Sequence, residues 1–85
     1  MMYYVYVLKS KKNGEIYVGF TKDLKRRLSE HNKGLSFSTK RYIPWELIYY
    51  EACKSEVDAK TREFRLKYHG RALAQLKRRI KESLL

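Results

Sequence analysis

The sequence predicts an α+β domain in which a three-stranded antiparallel sheet is flanked by about three helices, in the order ββαβαα. Two segments rich in β-branched and aromatic residues lie on either side of Asn13-Gly14, a strong hairpin signal. Three later segments carry apolar residues at helical spacing or helix-capping residues, and an aromatic segment that begins at Trp45 lies between the first two. The length of 85 residues suits one domain, residues 1–85, with a single modest core.

Residues 3–8 and 15–19 are the predicted strands of the hairpin. If the turn is centred on the Asn-Gly pair, Ser10 lies opposite Tyr17. Successive side chains of a strand point to opposite faces of a sheet, so sequence parity sorts them. The expected core face carries Val5, Val7, Ile16 and Val18, and the opposite face carries Tyr4, Tyr6 and Tyr17.

The first helix is predicted directly after the hairpin. Thr21 is the expected N-cap, and Asp23 lies in the first turn. The sequence Asn32-Lys33-Gly34 is typical of a helix end. Between these limits the spacing i, i+3, i+4, i+7 is occupied by Leu24, Arg27, Leu28 and His31.

The second half of the chain continues with a strand and two helices. A polar loop at residues 34–44 precedes a predicted strand at residues 45–52. Ser55 begins a capping box, which predicts a helix through about Tyr68 that Gly70 breaks. We expect the first strand to lie in the centre of the sheet. The last helix has an apolar stripe of Leu73, Leu76, Ile80 and Leu84.

The composition predicts a polyanionic partner. Twenty Lys and Arg residues against nine Asp and Glu residues give a net charge of +11, which favours DNA or RNA. No apolar run approaches the about 20 residues of a membrane-spanning helix, and the N-terminus lacks the features of a secretory signal. We therefore expect a cytoplasmic protein that does not bind membranes. Cys53, His31 and His69 do not have zinc-finger spacing, so no structural zinc is expected.

Three side chains are candidates for chemistry because of their positions on predicted helices. Arg27 and His31 are four residues apart beside the leucine stripe of the first helix, so they should point toward the margin of the sheet. The alternative for Arg27 is a buried stem with a solvated head, and the alternative for His31 is a core histidine. Glu63 lies on a partly buried helix face and needs a partner, for which Lys60 and Lys67 are ordinary surface choices.

Four sequence motifs resemble the GIY-YIG nuclease domain. Tyr4-Val5-Tyr6 stands where that family has Gly-Ile-Tyr, and Tyr17-Val18-Gly19 stands for Tyr-Ile-Gly. The segment GFTKDLKRRLSEHNKG is similar to the helix with the family's arginine and histidine, and SEVDAKTREFRLK is similar to the later helix with its glutamate. The similarity extends from Tyr3 to about Lys67, and the chain is most similar to the small stand-alone bacterial members.

This resemblance implies a metal-dependent endonuclease that hydrolyses phosphodiester bonds in DNA, with structure-directed cleavage as one option. Tyr6 or Tyr17 would activate or position the attacking water, with nearby cations lowering the pKa of the phenol and His31 bonded to it. Arg27 would grip the scissile phosphate. Glu63 would hold a single Mg²⁺ or Mn²⁺ ion, because the chain offers one good carboxylate rather than a cluster.

The sequence alone is also compatible with two other functions. A noncatalytic nucleic-acid-binding module on the same scaffold, or a basic protein-interaction domain, would have the same fold. Two departures from the family bear on this choice: Tyr4 replaces the first glycine, and the late asparagine of some active members has no counterpart. In the long loop, Thr39, Lys40 and Arg41 are candidate phosphate contacts or, equally, a solvated loop. Trp45 is expected to pack rather than to stack on a base.

Overall fold

Three strands and three helices follow the predicted order in the computed structural model, which describes residues 1–85. The strands are β1 (Tyr3–Ser10), β2 (Ile16–Thr21) and β3 (Trp45–Cys53), and the helices are α1 (Leu24–Asn32), α2 (Glu56–Tyr68) and α3 (Gly70–Arg79). A short 3-10 helix at Lys40–Tyr42 precedes β3. The sheet is antiparallel in the order β2-β1-β3, which confirms the α+β class and the central position of β1.

The register of the hairpin differs from the prediction by two residues. Tyr17 lies opposite Leu8 rather than Ser10. The reason is a longer loop, closed by a 2.8 Å hydrogen bond from the Ser10 amide to the Glu15 carbonyl, with the Ser10 hydroxyl accepting two further loop amides. Because a shift of two preserves parity, every predicted side chain stays on its predicted face.

Two buried clusters lie on opposite faces of the sheet, so the prediction of a single core is wrong. The helices α2 and α3 cover the aliphatic face, and α1 covers the tyrosine face with Leu24 and Leu28. The first cluster consists of Val5, Val7, Val18, Ala59, Leu66 and Leu76, with Ile16 packed against it. The second consists of Tyr6, Leu8 and Trp45, and the burial of this tryptophan agrees with its predicted packing role.

Helix α1 begins two residues later than predicted. Asp23, not Thr21, is the N-cap, and its carboxylate accepts the Arg26 amide at 3.1 Å. The Thr21 hydroxyl instead accepts the Asp23 amide, which fixes the bend between β2 and the helix. Gly34, with φ +76°, follows the end of α1 in the predicted place. None of the three helices has the length and apolar character needed to cross a membrane.

Candidate active site

Tyr6 is the central group of the site. It lies in the middle of β1, is 2% exposed, and its hydroxyl is 2.8 Å from Nε2 of His31. The hairpin register places Gly19 directly opposite, where a Cβ atom would overlap the phenol ring and its oxygen. Glycine at this position therefore makes the room that the phenol occupies.

His31 lies in the last turn of α1 and is wholly buried. Its second ring nitrogen, Nδ1, is 2.7 Å from the hydroxyl of Thr39. The ring of Tyr17 meets it edge to face, with 5.2 Å between ring centroids, and the two tyrosine rings are 6.4 Å apart. Helix and hairpin thus bring together the two phenols and the imidazole, as the sequence predicted.

Arg27 lies one turn before His31 and is held at the edge of this group. Its Nη1 contacts a Glu30 carboxylate oxygen at 3.0 Å, and its Nη2 donates to the Ser36 hydroxyl at 3.4 Å. The side chain remains 31% exposed, so the guanidinium is oriented but accessible to a ligand. Its positive charge lies close enough to Tyr6 to favour the ionised form of the phenol.

Glu63 reaches the same region from α2. One carboxylate oxygen lies 3.0 Å from Nζ of Lys67. The sequence left Lys60 and Lys67 open as partners of Glu63, and in the structure the partner is Lys67. The ammonium group also lies over the ring of Tyr17, 5.5 Å from its centroid. Lys60 instead pairs with Glu56 one turn earlier. The charge of Glu63 therefore acts on the pKa of Tyr6, but its direct contact is a cation of its own helix.

The predicted phosphate contacts in the long loop separate into two kinds. Thr39 is fully buried with its hydroxyl on His31, so it does not fit the expected role of a surface phosphate contact. Lys40 and Arg41 are exposed, with the Lys40 ammonium 4.9 Å from the centroid of the Phe37 ring. These two cations remain predicted contacts.

The loop is fastened to the fold by two residues that the sequence did not single out for this purpose. The side chain of Asn32 accepts the Trp45 amide at 2.6 Å and donates to the Trp45 carbonyl at 2.9 Å. The indole of Trp45 then donates to the Thr39 carbonyl at 2.8 Å. The sequence contains one indication that Asn32 belongs to the site, namely its position directly after the candidate histidine His31. Ser36, which holds Arg27, had no such signal.

The ionisation of the site differs from the expectation of an acidified phenol. Burial, together with the neighbouring Tyr17, raises the pKa of Tyr6 to about 12, and the opposing effect of Arg27 is smaller. Burial and the charge of Arg27 lower the pKa of His31 to about 4. At neutral pH the site therefore holds a neutral phenol and a neutral imidazole.

The donor set for a metal ion is small. The chain has no group of three or more His, Cys, Asp or Glu side chains placed to share an ion. Mg²⁺ commonly keeps several waters and uses one or two carboxylates together with substrate phosphates. Glu63 fits that pattern, because its side chain is 23% exposed and the ion pair with Lys67 involves one of its two carboxylate oxygens.

Comparisons with known proteins agree with the fold and the motifs. The family described as the GIY-YIG catalytic domain matches residues 2–78. A UPF0213 protein of Staphylococcus saprophyticus is 34% identical over 70 residues, which covers 81% of this chain and 84% of that protein. A UPF0213 protein of Halobacterium salinarum is 38% identical over 72 residues, with coverage of 84% and 92%.

A solved structure shows the same architecture. The solution NMR structure of a UPF0213 protein from Bacillus halodurans matches with a TM-score of 0.55 and 32% identity, covering 91% of this chain and 86% of that one. The domain match supports a nuclease-type function on a nucleic-acid substrate, and GIY-YIG nucleases generally use divalent metal ions. With a family match over nearly the whole chain and relatives of similar length, the protein belongs to the GIY-YIG family.

Proposed function

We propose that the protein is a metal-dependent endonuclease that hydrolyses phosphodiester bonds in DNA. The observation that carries this proposal is the proximity of the Arg27 guanidinium and the Glu63 carboxylate to Tyr6, whose hydroxyl is bonded to the buried His31, in a chain with a net charge of +11. Hydrolysis of a phosphodiester requires a positioned water, neutralisation of charge on phosphorus and stabilisation of the leaving oxygen. The site has a side chain suited to each of the first two requirements.

Arg27 is the proposed grip on the scissile phosphate. Its planar guanidinium is fixed by Glu30 and Ser36 yet partly exposed, and such a group pairs well with two phosphate oxygens. Because the head is already oriented, less side-chain entropy is lost when it binds. This geometry favours Arg27 over the more exposed Arg26, whose side chain is 69% exposed.

Tyr6 is proposed to position the attacking water as a neutral phenol. Its raised pKa makes a tyrosinate unfavourable in the free protein, so its contribution there is a directed hydrogen bond. Tyr17 lies beside it and supplies a second phenol at the more exposed edge of the sheet.

Glu63 is the proposed holder of a Mg²⁺ or Mn²⁺ ion. When bound, such an ion stabilises negative charge on phosphate oxygens and activates water. The remaining exposed cations, Lys40 and Arg41 among them, would neutralise phosphates on either side of the cleaved bond. Linear and branched DNA are both candidate substrates, since structure-directed cleavage would need no long sequence to be read.

The test is a cleavage screen of linear, single-stranded and branched DNA, and of RNA, with Mg²⁺, with Mn²⁺ and with chelator. Glu63→Gln should abolish cleavage while DNA binding and folding remain, because only the anionic oxygen is lost. Glu56→Gln is the matched control: it breaks a similar glutamate–lysine pair on the same helix and should cut normally. If the wild type cuts nothing under any condition, the protein is a noncatalytic nucleic-acid-binding module instead.

A further inference from the structure

The hydroxyl of Thr39 has one hydrogen-bond partner in the structure. That partner is Nδ1 of His31, at 2.7 Å, and both residues are 0% exposed, so bulk water does not reach the pair. The indole of Trp45 bonds to the Thr39 carbonyl and leaves the hydroxyl free for His31 alone. The positions of three polar hydrogens, on Thr39, His31 and Tyr6, therefore follow from a short count of donors and acceptors.

A neutral imidazole has one N–H, and a threonine hydroxyl has one proton. If Nδ1 carried the ring proton and donated it to Thr39, the hydroxyl proton would be buried without an acceptor, which costs about 1–3 kcal/mol. If Thr39 donates to an unprotonated Nδ1, its proton is satisfied. The second arrangement leaves the ring proton on Nε2, and the unmatched proton is then that of the Tyr6 hydroxyl, whose hydrogen bond in the structure is to His31. This hydroxyl lies beside the partly exposed Arg27, where water or a ligand can accept its proton, whereas Thr39 is 0% exposed. The lowered pKa of His31 agrees with a neutral ring.

We propose that Thr39 is a positioning residue that holds His31 in the tautomer with its proton on Nε2, so that His31 donates a hydrogen bond to the Tyr6 oxygen. The Tyr6 oxygen then accepts from His31, at 2.8 Å, and keeps its own proton for a group other than the histidine. A chain of hydrogen bonds thus runs from Thr39 through His31 to Tyr6. Trp45 and Asn32 fix the position of Thr39 by holding its loop. Its role in cleavage rests on the proposed nuclease function, but the tautomer itself does not.

The direct test is long-range proton–nitrogen NMR of the histidine rings in the full chain near neutral pH. We expect the His31 ring to show a protonated Nε2 and an unprotonated Nδ1, and the exposed His69 serves as an internal reference. A proton on Nδ1 of His31 in the wild type would overturn the proposal without any variant.

Two substitutions test whether Thr39 sets this state. Thr39→Val keeps the shape but removes the hydroxyl, and the His31 ring should then lose its preference for the Nε2 proton. Thr39→Ser keeps the hydroxyl and should restore the wild-type pattern. Thr61→Val, at an exposed position of α2, is the control for the same chemical change. An unchanged His31 tautomer in Thr39→Val overturns the proposal, and if that variant does not fold, the wild-type and Thr39→Ser spectra decide.

Cleavage provides the functional readout. In Thr39→Val we expect kcat to fall about tenfold or more with KM little changed. The substitution should misorient the Tyr6 phenol and leave phosphate binding unaffected. Thr39→Ser should recover most of this loss. If the wild type has the expected tautomer but cuts no nucleic acid, the nuclease proposal fails and the positioning of His31 stands. If it cuts DNA with the proton on Nδ1, the positioning proposal fails and the nuclease stands.

Discussion

Gly19 lies directly opposite Tyr6 across the β1–β2 pair, and the phenol occupies the space where a side chain at position 19 would begin. The backbone of Gly19 is not in the left-handed region, which among the glycines is occupied only by Gly14 and Gly34. Glycine is therefore needed here for the approach of an aromatic ring rather than for a turn. The glycine that ends the Tyr-Val-Gly motif is thus explained by the close approach of the Tyr6 ring across the hairpin.

Gly19→Ala should displace the ring of Tyr6 and break its contact with His31. Because the overlap involves the buried end of the phenol, we expect a loss of about 1–3 kcal/mol in the free energy of unfolding. Denaturant titration measures the stability, and cleavage should fall with it. Gly70→Ala is the control, since an added Cβ there meets no atom within 4 Å. Equal stability of the two variants would show that the pocket accommodates a methyl group.

Stability should decrease as the pH is lowered below neutrality. The pKa of His31 is lowered to about 4 in the folded protein, whereas an unfolded histidine titrates near 6.5. Between these values the unfolded chain binds a proton that the folded protein does not, which favours unfolding. From about pH 7 to about pH 5 this group should remove about 2 kcal/mol of unfolding free energy. His31→Gln lacks the titrating ring and should show a smaller loss; an identical loss would contradict the assignment.

Arg27→Ala should impair both DNA binding and cleavage. The guanidinium is proposed to meet the phosphate in the ground state and in the transition state, so kcat/KM should fall by about two orders of magnitude. Arg26→Ala is the matched control one residue away, and its effect should be within a few-fold because Arg26 is largely solvated. Circular dichroism checks that both variants fold. Comparable losses in the two variants would argue for general charge rather than a specific grip.

Binding to DNA should weaken steeply as the salt concentration rises. The net charge of +11 makes counterion release the main contribution, so log affinity should fall linearly with log salt. Replacing Lys40 and Arg41 together by alanine should reduce the slope by about 2 if both contact phosphates. The same change at Lys77 and Arg78, on the helix layer across the sheet, should reduce it less. A slope near zero for the wild type would exclude this mode of binding.

The faces of the sheet could be predicted from the sequence because their pattern has a period of two residues. A two-residue shift of the hairpin register leaves that pattern intact, so Val5 and Tyr6 remain on their predicted faces despite the wrong pairing. The register itself could not be predicted, because the Ser10 hydroxyl stabilises a longer loop than the Asn-Gly pair suggests. The start of α1 was misplaced for a similar reason, since Thr21 and Asp23 both have capping side chains.

Site residues could be predicted where their spacing along one helix determines their positions. They could not be predicted where contacts between distant parts of the chain determine them. The four-residue interval between Arg27 and His31 put both beside the tyrosine face without knowledge of the tertiary structure. The burial of Thr39 depends instead on hydrogen bonds that reach across the fold from Asn32 and Trp45. The direction of the Tyr6 pKa shift depends on burial, which the count of nearby cations did not reveal.

The two-sided covering of β1 has a consequence for how the protein opens. Val5 and Val7 face one buried cluster and Tyr6 and Leu8 face the other, so the amide hydrogens of this strand should exchange with solvent only on global unfolding. The segment that carries Thr39 depends on a few side-chain hydrogen bonds and should open locally at lower cost. On gentle heating the phenol would then stay in place while its histidine loses its support, so the reactive geometry would loosen before the fold melts.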